Sequence, residues 1–218
     1  MPTNKTILLV AASSSIAKHF KIAAEAKAYQ LLCTSRNTSS VNYIHLNLSD
    51  NNIDIELTDK LDAIIFFQGL NPQLNTQNTT NEHFINMLNI NLVAPTLLFK
   101  KLIGNLNSGA SIVFLGSIAA TKGSYDPAYA AAKAGLIGLM HSLANEFKNF
   151  RFNIISLGLV EQSSVYNQMS GDFKEKHRSK MYNQELIQFK NINSMIFEIL
   201  ENTNMNRAII PLDGGFQL

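Results

Sequence analysis

Residues 111–133 read SIVFLGSIAATKGSYDPAYAAAK. The first part, residues 111–115, is a short apolar run typical of a buried strand. The part that continues to about Phe147 repeats apolar residues at helical spacing and contains no proline after Pro127, which predicts a helix. A buried strand followed by a helix is the repeating unit of α/β proteins.

Two side chains of the predicted helix, Tyr129 and Lys133, are four residues apart and therefore lie on one face. A phenol titrates near ~10, and a neighbouring ammonium favours the phenolate and lowers that pKa toward neutral. Ser117 ends the preceding strand, at the edge of the sheet where ligands bind in α/β proteins. Tyrosine and lysine at this spacing are common on helices, so a functional interpretation depends on the surrounding sequence.

The alternation of strands and helices continues along the chain. Six further apolar runs predict strands, at residues 6–12, 31–34, 43–48, 61–67, 153–157 and 208–212. Helical spacing recurs at residues 16–29, 82–106 and 185–201. The continuous apolar strands predict a doubly wound parallel sheet with helices on both faces. We find no repeat or linker, so we predict one α/β domain over residues 1–218, with a flap over the substrate at residues 161–182.

Composition narrows the possible functions. The chain has 218 residues, of which 46% are hydrophobic and 16% charged, with a net charge of +2. It has no basic run that would indicate nucleic-acid binding and no apolar run of the ~20 residues needed to span a bilayer. A single cysteine, Cys33, excludes an internal disulfide and fits a reducing compartment, so we expect a cytoplasmic protein. The scattered histidines predict no metal site.

These motifs resemble the classical short-chain dehydrogenase/reductase family, and within it the 3-oxoacyl-acyl-carrier-protein reductases. The family's Tyr-x-x-x-Lys motif matches Tyr129 and Lys133, and its preceding serine matches Ser117. Its helix asparagine, in an Asn-x-x-Ala/Gly context, matches Asn91. The resemblance covers nearly the whole chain and implies a Rossmann-like fold in a homodimer or homotetramer.

The resemblance implies reversible hydride transfer between a nicotinamide cofactor and a carbonyl or alcohol carbon. Tyr129 would be the acid in reduction and the base in oxidation, and Ser117 would hold the substrate oxygen. Lys133 would lower the pKa of Tyr129 and bond the nicotinamide ribose, while Asn91 would hold a water that relays protons to Lys133. Two structural alternatives remain open: Ser117 could cap the turn after its strand, and Asn91 could bond its own backbone.

The glycine-rich turn of the family is altered in this chain, because Ala11, Ser15 and Ala17 stand where the family has glycines. The resemblance implies that the cofactor's pyrophosphate lies at the start of the first helix, where backbone N–H groups and the helix dipole favour an anion. That site would comprise Ser13, Ser14, Ser15 and Ile16. We expect a retained but altered phosphate site, and the alternative is a turn that no longer binds a dinucleotide.

The end of the second strand favours NADP(H), with NAD(H) still possible. No carboxylate is present there to bond the adenosine ribose, and Arg36 could pair with a 2′-phosphate. The alternative is that Arg36 is a solvated surface side chain. The resemblance implies further cofactor contacts at Asn47, Leu48, Gly69, Tyr129, Lys133, Gly158 and Val160.

The sequence thus favours an NADP-dependent oxidoreductase that acts on a small-molecule carbonyl or alcohol. The alternative is a family member that has lost catalysis and serves as a dinucleotide sensor or scaffold. The missing glycines favour the second, and the complete set of Asn91, Ser117, Tyr129 and Lys133 favours the first. The sequence leaves the substrate open, although reduction of a 3-oxoacyl thioester is a common task in this family.

Overall fold

The computed structural model describes residues 5–37, 43–50 and 53–217. Within these ranges seven strands form one sheet: β1 Thr6–Val10, β2 Gln30–Ser35, β3 Ile44–His45, β4 Leu61–Phe66, β5 Leu106–Ser117, β6 Arg151–Leu157 and β7 Ile209–Leu212. Their order is β3-β2-β1-β4-β5-β6-β7, and every neighbouring pair is parallel. The predicted doubly wound parallel sheet is confirmed.

Eight α-helices lie in the described ranges: α1 Ser15–Ala26, α2 Asn81–Leu88, α3 Ala94–Leu102, α4 Ala119–Lys122, α5 Pro127–Glu146, α6 Ser164–Gln168, α7 Gly171–Arg178 and α8 Phe189–Glu201. None of the helices in those ranges has the length and apolarity that crossing a bilayer requires.

Two hydrophobic cores lie on opposite faces of the sheet. Successive residues of a strand point to opposite sides, so Leu8 and Leu9 of β1 belong to different cores. The core that contains Leu9 is formed with α1 and α8, and Phe20 is fully buried in it. The core that contains Leu8 is formed with α3 and α5. The strands read as continuous apolar runs because both faces are covered, as predicted.

The helix predicted over residues 82–106 is interrupted, which corrects the sequence-based expectation. A π-helical turn at Asn89–Val93 separates α2 from α3, and a 3-10 turn at Ile103–Asn105 precedes β5. Pro95 lies in the first turn of α3 and has no N–H, so it cannot make the α-helical bond to the carbonyl of Asn91. Apolar periodicity does not reveal such a turn, because the residues on both sides keep helical spacing.

The segment predicted as a flap, residues 161–182, contains the short helices α6 and α7. Each begins with a serine whose hydroxyl accepts a backbone bond: Ser163 from Tyr166 N at 3.1 Å, and Ser170 from Phe173 N at 3.3 Å. These caps account for helix formation in a polar segment. The role of this segment as a substrate flap stays a prediction.

Candidate active site

A cleft of about 570 Å³ opens at the carboxyl ends of the central strands. Its walls come from the turn after β1 and from the segments that follow β4, β5 and β6. β1 lies between β2 and β4, so the chain reverses its direction of winding at this point. Ligands of doubly wound sheets bind at such a switch point.

The structure brings most of the predicted site residues to this cleft. Nine of them line it: Ser14, Ser15, Ile16, Gly69, Ser117, Tyr129, Lys133, Gly158 and Val160. Asn91 is fully buried and is not part of the cleft lining. Ser13, Arg36, Asn47 and Leu48 also lie outside the lining.

The first turns of α5 present Tyr129 and Lys133 to the cleft. The Lys133 ammonium lies 5.7 Å from the centre of the Tyr129 ring, and its side chain is buried. It donates to the carbonyl oxygens of Gln68 at 3.2 Å and Leu115 at 2.9 Å. An ammonium has three donors, so one remains for a group bound in the cleft.

The pKa values of this pair differ from the expectation. Burial lowers the pKa of Lys133 to about 8. Burial also raises the pKa of Tyr129; a hydrogen bond from Ser117 opposes this rise, and the charge of Asp126 adds to it. The expected lowering of the Tyr129 pKa by Lys133 is therefore wrong for this structure. Desolvation of the phenolate dominates, and Lys133 directs two of its donors at backbone carbonyls instead.

Ser117 adopts the capping role considered from the sequence, and its role in holding the substrate oxygen stays a prediction. Its hydroxyl accepts a bond from Ala119 N at 3.1 Å, as expected of a serine that caps the turn after its strand. Its side chain also acts on Tyr129, where it opposes the rise in the pKa of the phenol. Capping therefore holds the hydroxyl next to the phenol.

Asn91 bonds its own helix backbone, which is the structural alternative considered from the sequence. Its Nδ2 donates to the carbonyl of Met87, one turn earlier, at 3.1 Å and to the carbonyl of Leu70 at 3.2 Å. Its buried Oδ1 has no partner among the described residues. The side chain thus links the π-turn to the segment after β4, and its role in a water relay stays a prediction.

The turn between β1 and α1 keeps a glycine-like conformation without glycine. Ala11 has φ of +58°, and its N–H donates to Thr34 Oγ1 at 3.2 Å. Ser14 Oγ caps α1 by accepting from Ala17 N at 3.2 Å, and Ser15 Oγ accepts from Ser164 N at 3.3 Å.

The cleft has the features needed for the pyrophosphate of a dinucleotide. Ser14, Ser15 and Ile16 bring the start of α1 into its lining, so the backbone N–H groups and the positive end of the helix dipole are available to an anion. Gly69 lines the same cleft, and a Cβ added there would meet no atom within 4 Å. The residues present therefore fit the group that the resemblance implies.

Three of the predicted residues that do not line the cleft lie in other environments. Arg36 is exposed just after β2. The side chain of Asn47 donates to Asp50 Oδ1 at 2.7 Å and accepts from Ser49 N at 3.2 Å, and Leu48 is buried in the core on the α3–α5 face. Their assignment to the cofactor stays a prediction.

Three residues at or near this site were not predicted from the sequence. Gln68 lines the cleft, and its buried Oε1 has no partner among the described residues. Asp126 caps α5 by accepting a bond from Tyr129 N at 3.1 Å, and it contacts His83 of α2. A polar residue before Pro127 is a recognisable helix start, but no sequence signal connects His83 to it.

The described ranges contain no group of three or more His, Cys, Asp or Glu side chains that could hold a metal ion.

Known proteins show what this arrangement resembles. The family model described as Enoyl-(Acyl carrier protein) reductase matches residues 52–217. Carbonyl reductase family member 4 of Xenopus laevis is 30% identical over 72% of this chain and 67% of its own length. The 3-oxoacyl-[acyl-carrier-protein] reductase of Homo sapiens is 32% identical over 64% of this chain and 60% of its own length. The matches to these two relatives thus span about two thirds of their lengths or less.

Solved structures share the fold at lower identity. The structure of 4-hydroxyisoleucine dehydrogenase complexed with NADH has a TM-score of 0.82 and 20% identity, and the match covers 97% of this chain and 98% of that one. The structure of BdcA in complex with NADPH has a TM-score of 0.85 and 18% identity, with coverage of 98% and 95%. On the family-model match and the sequence relatives, this chain belongs to the short-chain dehydrogenase/reductase family.

Proposed function

We propose that this protein is an NADP-dependent oxidoreductase that transfers a hydride between the nicotinamide and a carbonyl or alcohol carbon. The observation that carries the proposal is the meeting of Ser117, Tyr129 and Lys133 in one cleft with the N-terminus of α1. The cleft therefore combines proton-donating side chains with an anion-binding helix end. Its volume of about 570 Å³ lies in the range of small-molecule and cofactor sites.

The side chains suit carbonyl reduction. A bound nicotinamide dinucleotide would supply the hydride, and negative charge would develop on the carbonyl oxygen. Ser117 would donate a hydrogen bond to that oxygen, and Tyr129 would deliver the proton. A phenol whose pKa is raised remains protonated at neutral pH, which is the form that an acid needs. The same shift disfavours the phenolate that would act as the base in alcohol oxidation.

Lys133 would connect the cofactor to the proton supply. With a pKa of about 8 it is mostly protonated at neutral pH, and its remaining donor can bond a ribose hydroxyl. A water near Asn91 would return the proton to the site. These roles come from the family and are supported here by the burial of Lys133 and its two carbonyl contacts.

The acid role of Tyr129 is tested by Tyr129→Phe. This variant should lose NADPH oxidation with every carbonyl substrate that the natural protein reduces, while its NADPH dissociation constant stays nearly unchanged. Tyr43→Phe is the matched control, because Tyr43 does not line the cleft. The screen uses ketones, diketones and 3-oxoacyl thioesters, the last because a relative is named as a 3-oxoacyl-[acyl-carrier-protein] reductase. Substantial activity in Tyr129→Phe would refute the role.

The preference for NADP rests on Arg36 and on the absence of a carboxylate among residues 34–37. Fold neighbours bind either cofactor, since one is complexed with NADH and another with NADPH. Arg36→Ala should raise the KM for NADPH far more than the KM for NADH. Equal effects on both constants would contradict the assignment.

A dinucleotide sensor or scaffold without turnover is the second candidate, and the observation that favours it is Ala11 at φ of +58° in place of a glycine. Titration with NADPH and NADH distinguishes the outcomes. Binding together with turnover supports the enzyme, and binding without turnover on the substrate panel supports the sensor. No binding at millimolar concentration would contradict both.

We also propose a homodimer or homotetramer, formed through the outer surface of α2, the π-turn and α3. Four large apolar side chains are exposed there: Phe84, Ile85, Val93 and Leu97, at 37–58%. Two of them, Val93 and Leu97, are one helical turn apart. A cytoplasmic location is part of the same proposal and is supported by the lone, buried Cys33.

A further inference from the structure

A buried contact between a histidine and a carboxylate lies at the start of α5. His83 Nε2 of α2 lies 2.9 Å from Asp126 Oδ2, with Asp126 completely buried and the His83 side chain 10% exposed. Neither residue belongs to the motif that identifies the family. Asp126 nonetheless contacts the proposed acid directly, and His83 contacts Asp126.

Asp126 connects His83 to the backbone of Tyr129. Its Oδ1 accepts from Tyr129 N at 3.1 Å, while Oδ2 takes the contact with His83 and a longer bond from Leu74 N at 3.4 Å. Capping alone does not require a carboxylate, because serine, threonine or asparagine serve as well. A fully buried carboxylate is costly unless it has hydrogen-bond or charge partners, and His83 lies within hydrogen-bond distance of it.

The same carboxylate acts on the phenol electrostatically, since its charge raises the pKa of Tyr129. The other titratable groups nearby are few. Lys133 faces the Tyr129 ring from the next turn of α5, and Tyr125 precedes Asp126 with its hydroxyl bonded by Asn75. His83 is the basic group that contacts the carboxylate within the described residues.

We propose that His83 and Asp126 form a positioning pair for Tyr129. His83 holds the carboxylate in place, the carboxylate in turn fixes the first turn of α5, and its negative charge adds to the burial that disfavours the phenolate. The proposal rests on the proposed function, because that is where Tyr129 is assigned the acid role.

Four variants separate the charge of Asp126, its capping oxygen and its contact with His83. Asp126→Asn keeps a capping oxygen and a polar group toward His83 but removes the charge. Asp126→Ser keeps the cap and removes both the charge and the reach to His83. His83→Gln keeps a donor, and His83→Phe removes it. The two conservative variants, Asp126→Asn and His83→Gln, keep the proposal testable where the others fold poorly.

The direct readout is a pH titration of the Tyr129 ring by NMR of the 13Cζ-labelled tyrosines, assigned by comparison with Tyr129→Phe. The pKa of Tyr129 should fall in Asp126→Asn and Asp126→Ser, because a negative charge is lost. This measurement needs no turnover, so it remains informative if the proposed oxidoreductase activity is absent. An unchanged Tyr129 titration in Asp126→Asn would overturn the electrostatic part of the proposal.

The kinetic readout tests positioning. His83→Phe should lower kcat about tenfold, since a small displacement of an acid is costly to rate, with the NADPH dissociation constant unchanged and His83→Gln close to the natural protein. In the Asp126→Ser background, His83→Phe should cause no further loss. A reduced melting temperature with unchanged kcat and unchanged Tyr129 titration would mean that the pair only stabilises the fold, and would overturn the proposal.

Discussion

Ala11 shows how one residue can keep a backbone conformation that its side chain disfavours. Its φ of +58° lies in the left-handed region, which costs a non-glycine residue about 1–2 kcal/mol. Thr34 holds it there through the bonds from Ala11 N to Oγ1 and from Ala12 N to the Thr34 carbonyl. The turn therefore retains its shape although the family's glycine is missing.

Ala11→Gly should stabilise the protein by up to about 1 kcal/mol, because relief of the strain exceeds the entropy lost by glycine. Thermal unfolding measures the change. Ala28→Gly is the matched control, since Ala28 has φ of 62° at the end of α1, away from the cleft. Both variants should gain stability, whereas Ala12→Gly should lose it because Ala12 is fully buried. A destabilised Ala11→Gly would contradict the strain.

Lys133 should make stability depend on pH. Burial lowers its pKa from 10.5 to about 8, so between these values the unfolded chain binds more protons and stability rises with pH. One pKa unit corresponds to about 1.4 kcal/mol, which predicts a rise of about 3 kcal/mol across that window. Urea unfolding of the natural protein and of Lys133→Met at about pH 7 and about pH 10 measures it. The same pH dependence in both proteins would refute the assignment.

Among the elements, the C-terminus of α8 is hydrogen-bonded by a buried arginine of β6. Arg151 begins β6, and its Nη1 donates to the carbonyls of Ile199, Asn202 and Met205 at 2.8–3.1 Å. The last carbonyls of a helix have no partners within it, so this guanidinium satisfies the C-terminus of α8 and fastens it to the sheet.

Arg151→Lys should destabilise the protein by about 3 kcal/mol, because a lysine lacks the planar fork that reaches several carbonyls, and hydrogen bonds to charged groups contribute about 1.5–3 kcal/mol each. Chemical unfolding measures the loss. Arg207→Lys is the control: Arg207 is exposed and its Nη1 donates to Asn145. An equal, small effect of both substitutions would show that the buried contacts contribute little.

At the scale of the whole molecule, the proposed oligomer depends on the exposed apolar surface of α2, the π-turn and α3. Leu97→Glu should place a charge in the interface and shift the protein toward monomers, as measured by light scattering after gel filtration. Ile22→Glu is the control, because Ile22 is 67% exposed on α1, a helix on the opposite face of the sheet. A natural protein that is already monomeric would remove the basis for this interface.

Much of this molecule could be predicted from local pattern. Apolar runs and helical spacing are properties of neighbouring residues, and they predicted the seven strands and the helices on both faces. Tyr129 and Lys133 were also predicted together from their spacing on one helix, and the resemblance to the family added Ser117; all three line the cleft. The interrupted helix around Asn91 was missed, since its cause is a one-residue change in hydrogen bonding.

The sequence by itself determined the sheet, its winding and the placement of Tyr129 and Lys133 on one face of a helix, because these depend on spacing along the chain. The tertiary structure alone decided the direction of the Tyr129 pKa, the pairing of His83 with Asp126 and the position of Arg36 outside the cleft lining. Burial and contacts between residues distant in sequence set these properties, and neither is encoded in a local pattern. For that reason the chemistry of this site follows from how the elements pack.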